Sequence, residues 1–171
     1  MKRILVIVGV LTIVVAVALV GYVAWFLRRA ASDRTEVQAS VRPLEDSVIT
    51  VEVVVRGTDH PVTITEISLE RALQDALGLG PPEGFKAEAL ALEDGEKDDP
   101  DAVEHVAKYN REKVRYVGTR TVKPGSRELL RFPVARPTAA SGEIQLQHQR
   151  KVGVGGSIGF TSVKIGVSGD S

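Results

Sequence analysis

The chain has 171 residues, 43% of them hydrophobic; its 22 basic and 22 acidic side chains cancel, and it contains no cysteine. Without cysteine there are no structural disulfides, thiolate zinc sites or cysteine nucleophiles. The even charge gives no footprint for nucleic acid or for an acidic substrate.

Met1–Arg3 is a short basic tail, and from Ile4 to Leu27 no charged residue occurs. At 1.5 Å per residue that run makes a helix of roughly 36 Å, enough to cross a hydrocarbon layer of about 30 Å with some tilt. A cleaved signal has a shorter apolar stretch and a small-x-small exit. Here the exit reads Trp25-Phe26-Leu27-Arg28-Arg29-Ala30-Ala31, which places arginine and bulky groups before either alanine. Tyr22 and Trp25 fall where an interfacial aromatic belt sits, with Arg28 and Arg29 beyond them. The pattern predicts an uncleaved transmembrane helix over 4–27. Lys2 and Arg3 on one side are nearly balanced by Arg28, Arg29 and Arg34 on the other. The short basic tail favours a cytoplasmic N-terminus and an extracytoplasmic C-terminal domain.

Residues 28–38 read as a polar spacer, and 39–171 as one domain. All 22 acidic residues and 20 of the 22 basic ones lie beyond the apolar run, so that part carries about −2. Ser47 to Arg56 alternates with Ile49, Val51, Val53 and Val55 on one face, the signature of a half-buried strand. A turn cluster at Gly57–Pro61 leads to a second strand, Val62 to Leu69, whose apolar phase shifts between Ile64 and Ile67. The shift predicts a bulge near Thr65-Glu66. Leu69, Ala72, Leu73, Ala76 and Leu77 then follow helical spacing, with Ser68 as the expected N-cap and Gly78 as the stop. Phe85 to Leu92 fits either strand or helix. Asp99-Pro100 resembles an N-cap followed by proline at N1, opening a short helix to about Asn110.

Strands resume at Lys113 to Val122. Lys123-Pro124-Gly125-Ser126 fits a tight turn, and Arg127 to Ala135 follows, with Pro133 marking an edge strand or a bulge. Glu143 to Val152 and Ser157 to Val167 complete the set. Six or seven short strands with turns between them predict a mainly-β domain, a sandwich with one or two short helical insertions. The run VKPGSRELLRFPVARPTAASGEIQLQ resembles the Pro-Gly turn, strand, glycine and next strand found late in bacterial immunoglobulin-like domains. The resemblance covers roughly the last third of the chain and implies an immunoglobulin-like β-sandwich, without assigning binding residues. The Cys and Trp hallmarks of true immunoglobulin domains are missing, the only Trp being Trp25.

Several patterns bear on chemistry. Gly155-Gly156-Ser157-Ile158-Gly159 matches G-x-S-x-G, but a nucleophile elbow needs a helix after the serine and a histidine downstream. No histidine follows Ser157, so a glycine-rich hairpin is the better reading. The same glycines lack the strand-to-helix setting of a phosphate cradle. Asp94, Glu96, Asp98, Asp99 and Asp101 offer oxygens for a hard cation, yet an EF-hand frame beginning at Asp94 puts Asp99 where glycine is required and His105 where the bidentate glutamate belongs. These five are the metal candidates; otherwise no cofactor is called for. His60, His105 and His148 show no ligand spacing, and His148 is expected at the rim of a sheet. Gln145, Gln147 and Gln149 alternate on one strand and form a polar, uncharged face. Such a face can hydrogen-bond to a partner, and an uncharged edge can accept an added strand.

The sequence thus predicts a single-pass protein of the cell membrane, anchored in the lipid bilayer. Its β domain works by non-catalytic binding or assembly with another membrane or envelope protein. The alternatives are an enzyme or divalent-cation-binding accessory subunit using the acidic loop 93–101, and a small accessory subunit of a transport or secretion complex.

Overall fold

A computed structural model describes residues 21–22, 35–152 and 155–168. The apolar run read as a membrane span lies outside the described residues, apart from Gly21 and Tyr22, which are helical. Among the described residues no helix is long and apolar enough to cross a membrane. The chain divides into two units, Met1–Thr35 and Glu36–Ser171, and the second holds the sheets.

Period-two apolarity builds two antiparallel sheets. The first has the order β1-β2-β6, from β1 (Glu36–Glu45), β2 (Val48–Arg56) and β6 (Arg127–Pro133). The second has the order β4-β5-β3-β7-β8, from β3 (Val62–Glu70), β4 (Phe85–Ala87), β5 (Lys113–Val122), β7 (Ala140–Val152) and β8 (Gly155–Val167). Ile49, Val51, Val53 and Val55 of β2 are buried in one cluster with Val62, Ile64, Ile67 and Leu69 of β3, and with Ile144 and Leu146 of β7. Each such side chain contributes roughly 1.5–3 kcal/mol by leaving water. Two sheets sharing one apolar core are consistent with a β-sandwich.

The expected bulge is present. Ile64 faces His148 and Glu66 faces Gln147, so Thr65 is the extra residue against β7. The insertion returns Ile67 to the core after Ile64, three positions earlier, had pointed there. Proline and glycine act where local chemistry places them. Gly125 adopts φ 71° in the turn, where Ser126 N–H donates to the Lys123 carbonyl, and Pro133 lies on edge strand β6. Gly78, at φ 62°, stops helix α1 (Arg71–Leu77).

Other elements depart from the sequence pattern. Strand β1 begins at Glu36, so the sheet takes in the end of the segment read as spacer. Ser68 is no helix cap: β3 continues to Glu70 because Leu69 pairs with Val114 and Ile144 and is buried. Helix α1 therefore starts at Arg71 and buries Leu73 and Leu77. The ambiguous Phe85 to Leu92 segment is a three-residue strand followed by irregular chain. Helix α2 (Pro100–Glu112) starts as expected, Asp99 accepting from Asp101 N–H at 3.0 Å, but buries none of its residues.

Candidate functional site

The glutamines share one solvent-facing side of β7. That strand is not an edge: it lies between β3 and β8, and β8 is the outermost strand on that side of the sheet. Strand addition next to the glutamines is thereby closed off, and what they offer is a face. Row by row, Gln149 stands between Thr63 and Ile158, Gln147 between Glu66 and Phe160, and Gln145 between Ser68 and Ser162.

One flank of this face is held by charge and hydrogen bonds. Arg115 Nε donates to Glu66 at 2.8 Å, and the Tyr109 hydroxyl of α2 donates to the other Glu66 oxygen at 3.4 Å. Ser68 Oγ donates to Gln145 Oε1 at 3.5 Å. Burial pushes the Tyr109 hydroxyl above the usual phenol value, with a Ser68 hydrogen bond opposing. Glu66 is thus paired with Arg115 and occupied by Tyr109, an arrangement that fixes α2 over the sheet. Among the described residues, the side-chain amides of Gln147 and Gln149 have no hydrogen-bond partner. Each carries two N–H donors and a carbonyl acceptor, so together they offer hydrogen-bonding groups without charge.

The other flank is apolar. Ile158 is 59% exposed and Phe160 62% exposed. Both lie on the outer face of β8, whereas Val163, Ile165 and Val167 turn toward the core. The strand read over Ser157 to Val167 is present, with an outward apolar pair that its pattern also carries. Parity carried the signal, since even-numbered positions of this strand oppose the odd-numbered core set.

Between the sheets, His148 is half-buried on the inward face, in line with Ile144 and Leu146. Its Nε2 lies 3.2 Å from Thr161 Oγ1, which donates to the Val37 carbonyl at 3.2 Å. Since the hydroxyl gives its proton to Val37, it accepts from His148, which must carry a proton on Nε2. Burial lowers the imidazole pKa below its ordinary value. The relay ties β1 to β8 on one flank; on the other, Arg120 of β5 pairs with Glu128 of β6. The outer face of the first sheet is polar too. Glu52 sits 2.6 Å from Arg42 and 3.4 Å from Arg127, and the Arg42 hydrogen bond holds its carboxyl below the usual carboxylate range.

The metal candidates are not assembled. Asp94 pairs with Lys97 at 2.6 Å, Asp99 caps α2, and Glu96, Asp98 and Asp101 are exposed around them. Among the described residues no group of three His, Asp or Glu side chains is arranged to hold a metal ion. Ser157 is exposed at the start of β8, so a strand and not a helix follows it. His60 and His105 are exposed.

No family model matches the chain. No curated protein matches it either. Among solved structures the chain is similar to one described as BslA, a bacterial hydrophobin, at 15% identity and a TM-score of 0.29. That match covers 80% of this chain and 95% of the other. A superposition this loose carries neither fold nor function across.

Proposed function

We propose that this is a membrane-anchored, non-catalytic binding or assembly protein of the cell envelope. One N-terminal helix over 4–27 tethers an immunoglobulin-like β-sandwich to the lipid bilayer, with the domain on the extracytoplasmic side. The partner is another membrane or envelope protein. The glutamine row carries the reading: an uncharged face with two unoccupied amides, braced on one side by the Tyr109–Glu66–Arg115 network. A rigid platform of this kind suits recognition of a polar protein surface, because its hydrogen bonds are made without desolvating a charge. The apolar Ile4–Leu27 run supports the tether.

The test is photo-crosslinking of the full chain in native membranes. A photoreactive residue at Gln147 is compared with one at Thr50, on the outer face of the other sheet. A discrete adduct formed at Gln147 and absent at Thr50 is expected. Equal labelling at both positions overturns the binding face, and N-terminal sequencing that begins past Leu27 overturns the tether.

A further inference from the structure

We propose that the end of the domain formed by the β7–β8 hairpin docks on an anionic lipid surface through Ile158 and Phe160. The inference rests on the anchored reading above and names which part of the domain meets the bilayer.

The first observation is the exposure of these two side chains on a strand whose outer face is otherwise polar. Ser162 and Lys164 continue the same face beyond Phe160, so the apolar pair is confined to the hairpin half of β8. An aqueous sheet face gains nothing from isoleucine and phenylalanine side by side. Such a patch fits a surface that removes it from water.

The second observation is what the ladders gather at that end. Glu36 pairs with Arg56, Val54 with Arg127, Val62 with both Val122 and Arg150, and Arg150 with Ser157. The turns following Arg56 and Val122 and the Val152–Gly155 end of the β7–β8 ladder therefore lie together. They bring Arg56, Lys123, Arg127 and Arg150 to one end, against Glu36 and Asp59, with Arg127 3.4 Å from Glu52. Basic residues gathered at the end of the domain that carries an apolar pair match the chemistry of an anionic headgroup layer over hydrocarbon.

The third observation is where the chain joins the sheet. β1 starts at Glu36, and the Val37 carbonyl is bonded to Thr161, the neighbour of Phe160. The polypeptide thus enters the domain beside the exposed pair. Only residues 28–35 separate that entry from the apolar run, and eight residues span at most about 28 Å when fully extended. A tether this short holds the hairpin end at a local lipid concentration on the order of millimolar or more. Two apolar side chains, too few to retain a free protein, then suffice for a persistent contact.

Because the chain has no cysteine, single labels are clean. The full chain carrying Ile158→Cys or Glu45→Cys, each labelled with an environment-sensitive fluorophore, is reconstituted into phosphatidylcholine vesicles with and without phosphatidylglycerol. Lipid-borne quencher is expected to act about threefold more strongly at position 158 than at position 45, more so with the anionic lipid. Added salt and a Phe160→Ser change are both expected to weaken the difference. Equal quenching at the two positions in protein that co-floats with the vesicles overturns the docking and leaves the anchor standing. Failure to co-float overturns the anchor and the docking with it. Shielding at position 158 that grows with protein concentration and ignores the lipid quencher assigns the patch to a second copy of the chain and overturns the lipid contact.

Discussion

His148 and Gly159 face each other across the β7–β8 ladder, and a Cβ on the glycine would stand 2.5 Å from the imidazole Cε1. The ring occupies the space that the missing side chain leaves, and in that position it reaches Thr161. Gly159→Ala forces the ring to move or the strands to part, and is expected to cost about 1–3 kcal/mol in denaturant unfolding. The double change His148→Ala with Gly159→Ala should cost less than the sum of the two single changes, because the clash disappears with the ring. Strict additivity would mean that the two side chains do not share this space.

The same imidazole gives a pH dependence of defined sign. Its folded pKa lies below the ordinary value of 6.5 because burial disfavours the imidazolium. The unfolded chain therefore binds the proton more tightly. Stability from this group is complete above about pH 6.5 and declines as pH falls through the depressed folded value. His148→Gln, whose amide can still donate to Thr161, is expected to flatten that slope in melting curves between about pH 5 and 7. A slope unchanged by the substitution would assign it to other groups.

Tyr116 donates its hydroxyl to the Leu79 carbonyl at 2.6 Å inside the protein, and burial raises its pKa. Tyr116→Phe leaves that carbonyl buried without its donor and is expected to cost about 1–3 kcal/mol. The local consequence falls on Leu79, which bridges to Val134 and packs in the core. Hydrogen exchange should quicken at the backbone around Gly78–Gly80 before it does at β3.

Thr65 presents the opposite case. Its hydroxyl is buried without a partner at the bulge. Thr65→Val keeps the shape and removes the unsatisfied group, so stability should be unchanged or rise by about 1 kcal/mol. A marked loss would show that the hydroxyl has a role in the bulge beyond its volume.

The acidic loop yields a paired expectation. Asp99→Ala removes the cap of α2 and should cost about 1 kcal/mol. Calcium or a chelator should leave the melting temperature of the unaltered protein in place, since Asp94 is engaged by Lys97 and Asp99 by the helix. A calcium-dependent rise would identify a site these contacts do not form.

What could be read from the sequence was whatever is decided within a few residues. Gly78, Asp99-Pro100 and the Lys123–Ser126 turn act through their own backbone chemistry, and each is found where the pattern put it. The bulge at Thr65 was legible because a two-residue period cannot place both Ile64 and Ile67 inward without it. Strand β1 was not legible. Glu36–Glu45 carries Arg42, Pro43 and Glu45 among small apolar residues, and its pairing is supplied by β2. The status of the glutamine strand was equally hidden, because whether a strand is internal depends on which distant segments flank it. Ser68 shows the same limit: it reads as a cap and is buried in a ladder.

Strands β1 and β8 run side by side in the same direction, so Glu36 and Val167 lie at opposite ends of the sheets. A pull between those two points acts along the strand axes, and the bonds of the β1–β2 ladder, perpendicular to that axis, share the load. They must break together in shear instead of unzipping one by one. A force applied between the first strand and the last therefore meets the ladder in its stiffest direction.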